Sequence, residues 1–208
     1  MLTIISFIIL IISVILHELS HGYMADFLGD PTARHQGRLT LNPLKHIELW
    51  GSIIVPIFTS MAGFTFGWAK PVPFNPYNLK NKRQGEFLIA AVGPLSNIGI
   101  ALIFGILIRV IIANVGIEHL STGLVSAIVV FKVIIIINIM LAIFNLIPMP
   151  PLDGSKLLLS LMPNQYGKTR MFLERYALVF LLIVVLFIWQ IIEPIIPWLF
   201  RMVAGIDY

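Results

Sequence analysis

The sequence predicts an all-α polytopic membrane protein: about four long transmembrane helices, one shorter re-entrant or membrane-dipping segment, and a small extended, hairpin-like element. Three observations predict it. Hydrophobic residues make up 58% of the 208 and charged residues only 12%, with a mean hydropathy of +0.95, far from the balance of a water-soluble domain. Crossing about 30 Å of hydrocarbon takes about 20 apolar residues, and four stretches at roughly 2–25, 87–110, 122–147 and 177–200 are long enough. Lastly, 11 of the 14 Lys and Arg fall in residues 29–86 and 148–176, while the connection 111–121 has none and carries Glu118. By the positive-inside rule, both basic regions are cytoplasmic and that connection is outside, which places the N-terminus outside a multi-pass protein of the cell membrane.

The first stretch has no basic leading region and no small-residue cleavage site, so it is expected to stay in the mature protein. The run Ser52–Gly67 has 16 residues, is interrupted by Pro56, Gly63 and Gly67, and would make a helix of only about 24 Å. It is expected to re-enter the membrane and pack on the other helices, because non-helical backbone at that depth needs protein or a water-filled cavity beside it. Its flanks, "GRLTLNPLKHIELWG" and "GWAKPVPFNPYNL", carry Asn-Pro and Pro-Val-Pro steps that disfavour helix and read as turn-rich, partly extended structure. In the 87–110 span, Gly93, Pro94 and Asn97 suggest close helix approach, with Asn97 able to orient a neighbour. The 122–147 span holds Lys132, which either snorkels or pairs with a neighbour, and ends in the proline-rich "FNLIPMPPLDG". The last span closes on Pro194 and Pro197. No repeat or low-complexity tract divides the chain, so residues 1–208 read as one membrane-embedded domain.

The chemistry concentrates in "HELSH". His17 and His21 are four apart, so a helix places both on one face, where each can direct a ring nitrogen at one Zn²⁺. Glu18 falls beside such an ion, the place for a general base. With five His in the chain, the pattern is expected by chance only about 0.003 times. Ionisable residues inside a membrane segment are costly and usually functional. A catalytic zinc normally takes three protein ligands, and the chain has no cysteine. The candidate third ligand is Asp153, for which an N-cap on the helix that follows is the competing reading. If residues 52–67 re-enter, the first and third long spans run in the same direction and bring His17, His21 and Asp153 to the same cytoplasmic half. If they cross, Asp153 emerges on the other side.

"HELSH" on one hydrophobic helix and "NLIPMPPLDG" on a later one, with "GPLSN" between them, resemble the motifs of the site-2 protease family of intramembrane zinc metalloproteases. "GRLTLNP" and "WAKPVP" are similar to segments of its compact bacterial and archaeal branch, so the resemblance covers nearly the whole chain, without room for a PDZ insertion or CBS domains. It implies one zinc ion per chain held by His17, His21 and Asp153, with Glu18 as catalytic base. The expected activity is hydrolysis of peptide bonds within or near transmembrane segments of protein or peptide substrates, in contact with membrane lipid and with no nucleic-acid partner. A substrate helix must unwind before a carbonyl is accessible, and Asn145 is the candidate for hydrogen-bonding its exposed backbone. The competing functions are a zinc-binding transporter and a non-catalytic binder of membrane helices. Against the first stand outer halves almost uniformly Ile, Leu, Val and Phe; against the second stands Glu18, a base that a binder does not need.

Overall fold

The computed structural model describes residues 2–55, 57, 61, 69–162, 171–173, 175–184, 187 and 189–207. The described residues are helical or irregular, with no strand among them. Three helices are long and apolar enough to cross a membrane: α1 (Leu2–Phe27), α3 (Lys82–Val115) and α4 (Thr122–Leu146). A short helix, α2 (Thr32–His35), follows α1, and α5 (Asp153–Leu161) follows α4. The C-terminal part holds α6 (Ala177–Ile183), α7 (Trp189–Ile192) and α8 (Ile195–Ala204).

The expected fourth long span, 177–200, is interrupted near its end among the described residues, while residues 185, 186 and 188 within it lie outside them. Glu193 and Pro194 form a turn before α8, and Pro194 is that helix's N-cap; proline has no N–H to continue a preceding ladder, which is why the break falls there. The expected re-entrant run 52–67 lies largely outside the described residues. Its first residues, 52–54, end a wide π-type turn, Leu49–Ile54. The hairpin-like element is not found as strands among the described residues: Ala69–Asn75 is irregular backbone, tied to the preceding loop by Lys70 N–H donating to the His46 carbonyl at 2.8 Å.

α3 is the central helix, packing against α1, α4, α5 and α8. It starts where the Asn81 side chain caps the Gln84 N–H at 3.2 Å, and ends at Gly116, whose φ of 75° is open to glycine at little cost. Ser121 caps α4 in the same way through the Leu124 N–H. Between these caps, one end of the bundle is an apolar cluster in which α3 (Ala101, Ile108), α4 (Ile128, Ile135, Ile139) and α8 (Ile196, Phe200, Ala204) interlock. Lys132 in this region lies over the Phe200 ring, 5.6 Å from its centre, so the expected pairing with a neighbour is a cation–π contact. Away from these contacts the long helices show apolar side chains outward, such as Ile4, Phe7 and Leu102. The other end of the bundle is polar.

Candidate metal centre

α1 carries Ser13, His17 and His21 on one buried stripe, at the four-residue spacing that stacks side chains on a helix face. α3 faces this stripe across Gly93. A β-carbon at Gly93 would lie 2.4 Å from His21 Cε1, 2.5 Å from His21 Nε2 and 2.7 Å from His17 Cε1, so hydrogen is the only side chain that leaves the imidazoles their places. Pro94 follows inside the helix. Lacking an N–H, it opens the local ladder, and next to that opening the Ile89 carbonyl accepts from His21 Nδ1 at 2.6 Å.

Asp153 comes from the start of α5. Leu152 occupies the N-cap with no side-chain bond, so the capping role is not the one Asp153 plays here: its side chain turns to the histidines. Gly154 makes this possible, since a β-carbon there would sit 2.3 Å from the Leu146 carbonyl oxygen. At its far end, α5 is held by Arg83 of α3, whose guanidinium donates to the Ser160 and Leu161 carbonyls. These are terminal carbonyls without helical partners. The helix carrying Asp153 is thus fixed at both ends.

The three side chains converge. Asp153 Oδ2 lies 3.0 Å from His17 Nε2 and 3.0 Å from His21 Nε2, and the two Nε2 atoms are 3.1 Å apart. All three residues are buried, and among the described residues they are the one His/Asp/Glu group of this kind. His35, His46 and His119 lie outside it.

The donor chemistry fits a cation. The Ile89 carbonyl can only accept, so His21 Nδ1 carries hydrogen and its Nε2 presents a lone pair. His17 Nδ1 meets Asn97 Oδ1 at 2.7 Å, while Asn97 Nδ2 donates to Asn138 Oδ1 at 2.8 Å. That order assigns the same tautomer to His17. Two imidazole lone pairs and a carboxylate oxygen then face one another, an arrangement that repels unless a positive centre sits among them. A tetrahedral zinc with bonds of about 2.0–2.1 Å sets its ligand atoms about 3.3–3.4 Å apart, close to the observed triangle.

Glu18, on the same turn as His17, is half-buried. Its Oε2 accepts from Val72 N–H at 2.8 Å, so an irregular segment fifty-four positions away in sequence fixes its direction. Asn145 is half-buried on α4 and its amide nitrogen donates to the Leu141 carbonyl at 2.9 Å. Among the described residues no polar contact joins it to the three converging side chains.

Several participants escaped sequence reasoning. Asn138 is fully buried; it receives from Asn97 and donates to Ser13 Oγ at 3.0 Å and to the Ile134 carbonyl at 2.8 Å. Asn97, able to orient a neighbour by its position alone, orients His17. Lys156 reaches the other oxygen of Asp153, Oδ1, at 3.0 Å. The signal for Asn138 was present in the sequence as a lone amide within "IIIINIML", since an isolated polar residue in such a span needs a partner. Nothing comparable marks Val72 or Ile89, which act through their backbones.

Comparison with known proteins points the same way. The profile described as "Peptidase family M50" matches residues 110–189, the stretch that includes Asn138, Asn145 and Asp153. The Bacillus subtilis (strain 168) protein called "Putative zinc metalloprotease YwhC" is 40% identical over 182 residues, covering 86% of this chain and 78% of that protein. "Zinc metalloprotease MJ0392" of Methanocaldococcus jannaschii is 25% identical over 161 residues, covering 77% of this chain and 35% of that longer protein. No solved structure matches.

Proposed function

The chain belongs to the site-2 protease family, peptidase family M50, and on that premise we propose that it is a membrane-embedded zinc endopeptidase that hydrolyses peptide bonds within or beside the transmembrane segments of other membrane proteins. The observation that carries this reading is the buried triangle of His17 Nε2, His21 Nε2 and Asp153 Oδ2 with an anchored carboxylate, Glu18, on the same helical turn. His17, His21 and Asp153 would hold one zinc ion. When bound, it supplies a Lewis-acid contact for the scissile carbonyl oxygen and makes a water acidic enough to lose a proton near neutral pH.

The remaining steps belong to the chain's own residues. Glu18 has Oε2 committed to Val72 N–H, which leaves Oε1 to take a proton from the attacking water. The water oxygen bonds to the carbonyl carbon, the C–N bond breaks, and Glu18 returns the proton to the departing amine. Asn97 holds the His17 ring in the tautomer that keeps Nε2 unprotonated, and the Ile89 carbonyl does the same for His21. Asn145 has its amide nitrogen tied to Leu141, so its Oδ1 is the atom offered to an N–H of an unwound substrate.

With the N-terminus outside and the basic regions cytoplasmic, α1 delivers this site to the cytoplasmic half of the cell membrane, where water has the shorter path. The test is cleavage of single-span substrates by the full chain in lipid, comparing wild type, Glu18→Gln and chelator-treated protein. Loss in both treatments, with bound zinc retained in Glu18→Gln, is expected. Equal turnover by wild type and Glu18→Gln would overturn the mechanism. An Asn145→Ala protein with unchanged turnover would remove Asn145 from it.

A further inference from the structure

We propose that the open cavity between the loop of Gln36 and Arg38, the turn of Leu44, Lys45 and Ile47, and the segment of Lys70, Pro71 and Pro73 binds the phosphate of an anionic phospholipid headgroup. The cavity is about 410 Å³ and is lined by Gln36, Arg38, Leu44, Lys45, Ile47 and Lys70, together with two prolines. Three of its lining side chains are cationic and none is acidic. Lys45 and Lys70 are exposed, and neither has an acidic partner among the described residues.

Arg38 is different: it is only 7% exposed, yet its Nε has no hydrogen-bond partner among the described residues. One guanidinium nitrogen is used internally, Nη2 donating to the Lys70 carbonyl at 2.9 Å and the Pro71 carbonyl at 3.3 Å. A buried guanidinium with an N–H left unpaired keeps an uncompensated positive charge in the cavity wall, and an anionic oxygen in the cavity suits the three cations at once.

The chain around the cavity says where that anion comes from. Leu44 and Ile47 line the cavity, and with their sequence neighbours Leu41, Leu49 and Trp50 they lie within ten positions and are 44–73% exposed. A water-facing loop does not gather five large apolar side chains outward, whereas a segment at the membrane surface does, with tryptophan at headgroup level and apolar side chains among the acyl tails. A basic pocket bordered by such side chains fits a phosphate carried on a lipid. The inference needs the chain in a bilayer but not its protease reading.

The placement links the pocket to the site already described. Arg38 braces the Lys70 and Pro71 carbonyls, and the next residue's N–H, that of Val72, holds Glu18. The wall of the lipid pocket is the segment that orients the carboxylate.

The test is native mass spectrometry of the full chain in detergent containing equal amounts of phosphatidylglycerol and phosphatidylcholine. Wild type is expected to retain phosphatidylglycerol preferentially. Lys45→Gln/Lys70→Gln should lose that preference by about 25-fold, about fivefold for each lysine, with its melting temperature in lipid-free detergent and its metal content unchanged. Retention of both lipids in equal measure by wild type would overturn the proposal, as would an unchanged preference in the double variant. A third arm uses excess inorganic phosphate. If it raises the melting temperature as much as phosphatidylglycerol does, the ligand is free phosphate and the lipid assignment falls.

Discussion

α3 and α4 each run through two regions built on opposite rules. At one end, with α8, they form the apolar cluster around Ile108, Ile135 and Phe200, each fully buried. At the other, with α1 and α5, they form the polar layer in which Ser13, Asn138, Asn97 and His17 are hydrogen-bonded in series. The apolar end gains little from the hydrophobic effect, because lipid tails are as apolar as isoleucine; it is held by shape and close contact, which several side-chain combinations can satisfy. The polar end has one solution. Each amide is committed at both of its atoms, so a change at one member leaves the next unpaired. The same pair of helices is thus tolerant at one end and specific at the other, and the specific end is where the candidate ligands are.

The largest effect that separates the two regions is expected at Gly93. Gly93→Ala places a carbon within 2.4–2.7 Å of both imidazoles, whose rings are pinned by Ile89 and Asn97 and cannot both retreat. Zinc affinity should fall on the order of a thousandfold or more, beyond the 10- to 100-fold typical of lost outer partners. Its control lies in the same helix: a β-carbon on Gly99 meets nothing within 4 Å, so Gly99→Ala should leave metal content intact. Competition with a chromogenic chelator measures both. If the two substitutions behave alike, the tight approach of α3 to the histidines is not what shapes the site.

Phe200→Ala should show the reverse pattern. Emptying a fully buried ring position costs about 3 kcal/mol of stability, while the metal affinity of the folded fraction stays at the wild-type value. Thermal unfolding in detergent and zinc titration on the same samples separate the two readouts. A joint loss would mean that the apolar end and the polar layer are one cooperative unit. Below this in size comes Asn97→Ala, which strips the acceptor from His17 Nδ1 and the donor from Asn138. Zinc affinity should drop about 10- to 100-fold with a small effect on unfolding, since hydrogen bonds between membrane helices contribute modestly to stability, on average about 0.6 kcal/mol.

The difference between the regions also governs what could be read from the sequence. His17, His21 and Asp153 were legible because each is costly in an apolar context and the four-residue spacing carries its own geometry. The three long helices were legible from length and hydropathy, with boundaries short by up to five residues at the two ends of α3, where Asn81 and Gly116 set the termini instead. Residues 177–200 read as one span because hydropathy averages over a window; the turn at Glu193–Pro194 is a local backbone event. Val72 was not legible at all. Its role lies in an N–H that every non-proline residue possesses, and only the fold decides which one meets Glu18. For Asp153 the local sequence alone left cap and shared site both open, because the choice depends on the direction of one side chain at a helix start; the direction of the spans and the resemblance are what pointed to the shared site.

The smallest expected effect lies outside both regions, at the junction after α1, and it tests whether a third rule holds there. Buried Asp30 accepts from Thr32 N–H at 3.2 Å, Asn75 N–H at 2.6 Å and Asn78 Nδ2 at 2.7 Å. Burial alone would raise its pKa, but the hydrogen bonds from Thr32, Asn78 and Asn75 outweigh it and hold the carboxyl below its ordinary value of 3.8. A carboxyl lowered on folding stabilises fully above the ordinary value, and that contribution disappears as pH falls through the lowered one. Asp30→Asn should therefore cost about 1 kcal/mol near neutral pH, with the gap to wild type closing as the solution is acidified below pH 3.8. Melting curves of both proteins across that range are the check. A gap that stays constant with pH would show that Asp30 holds the junction by shape and hydrogen-bond geometry alone, as Asn138 does within the bundle, and that its charge adds nothing there.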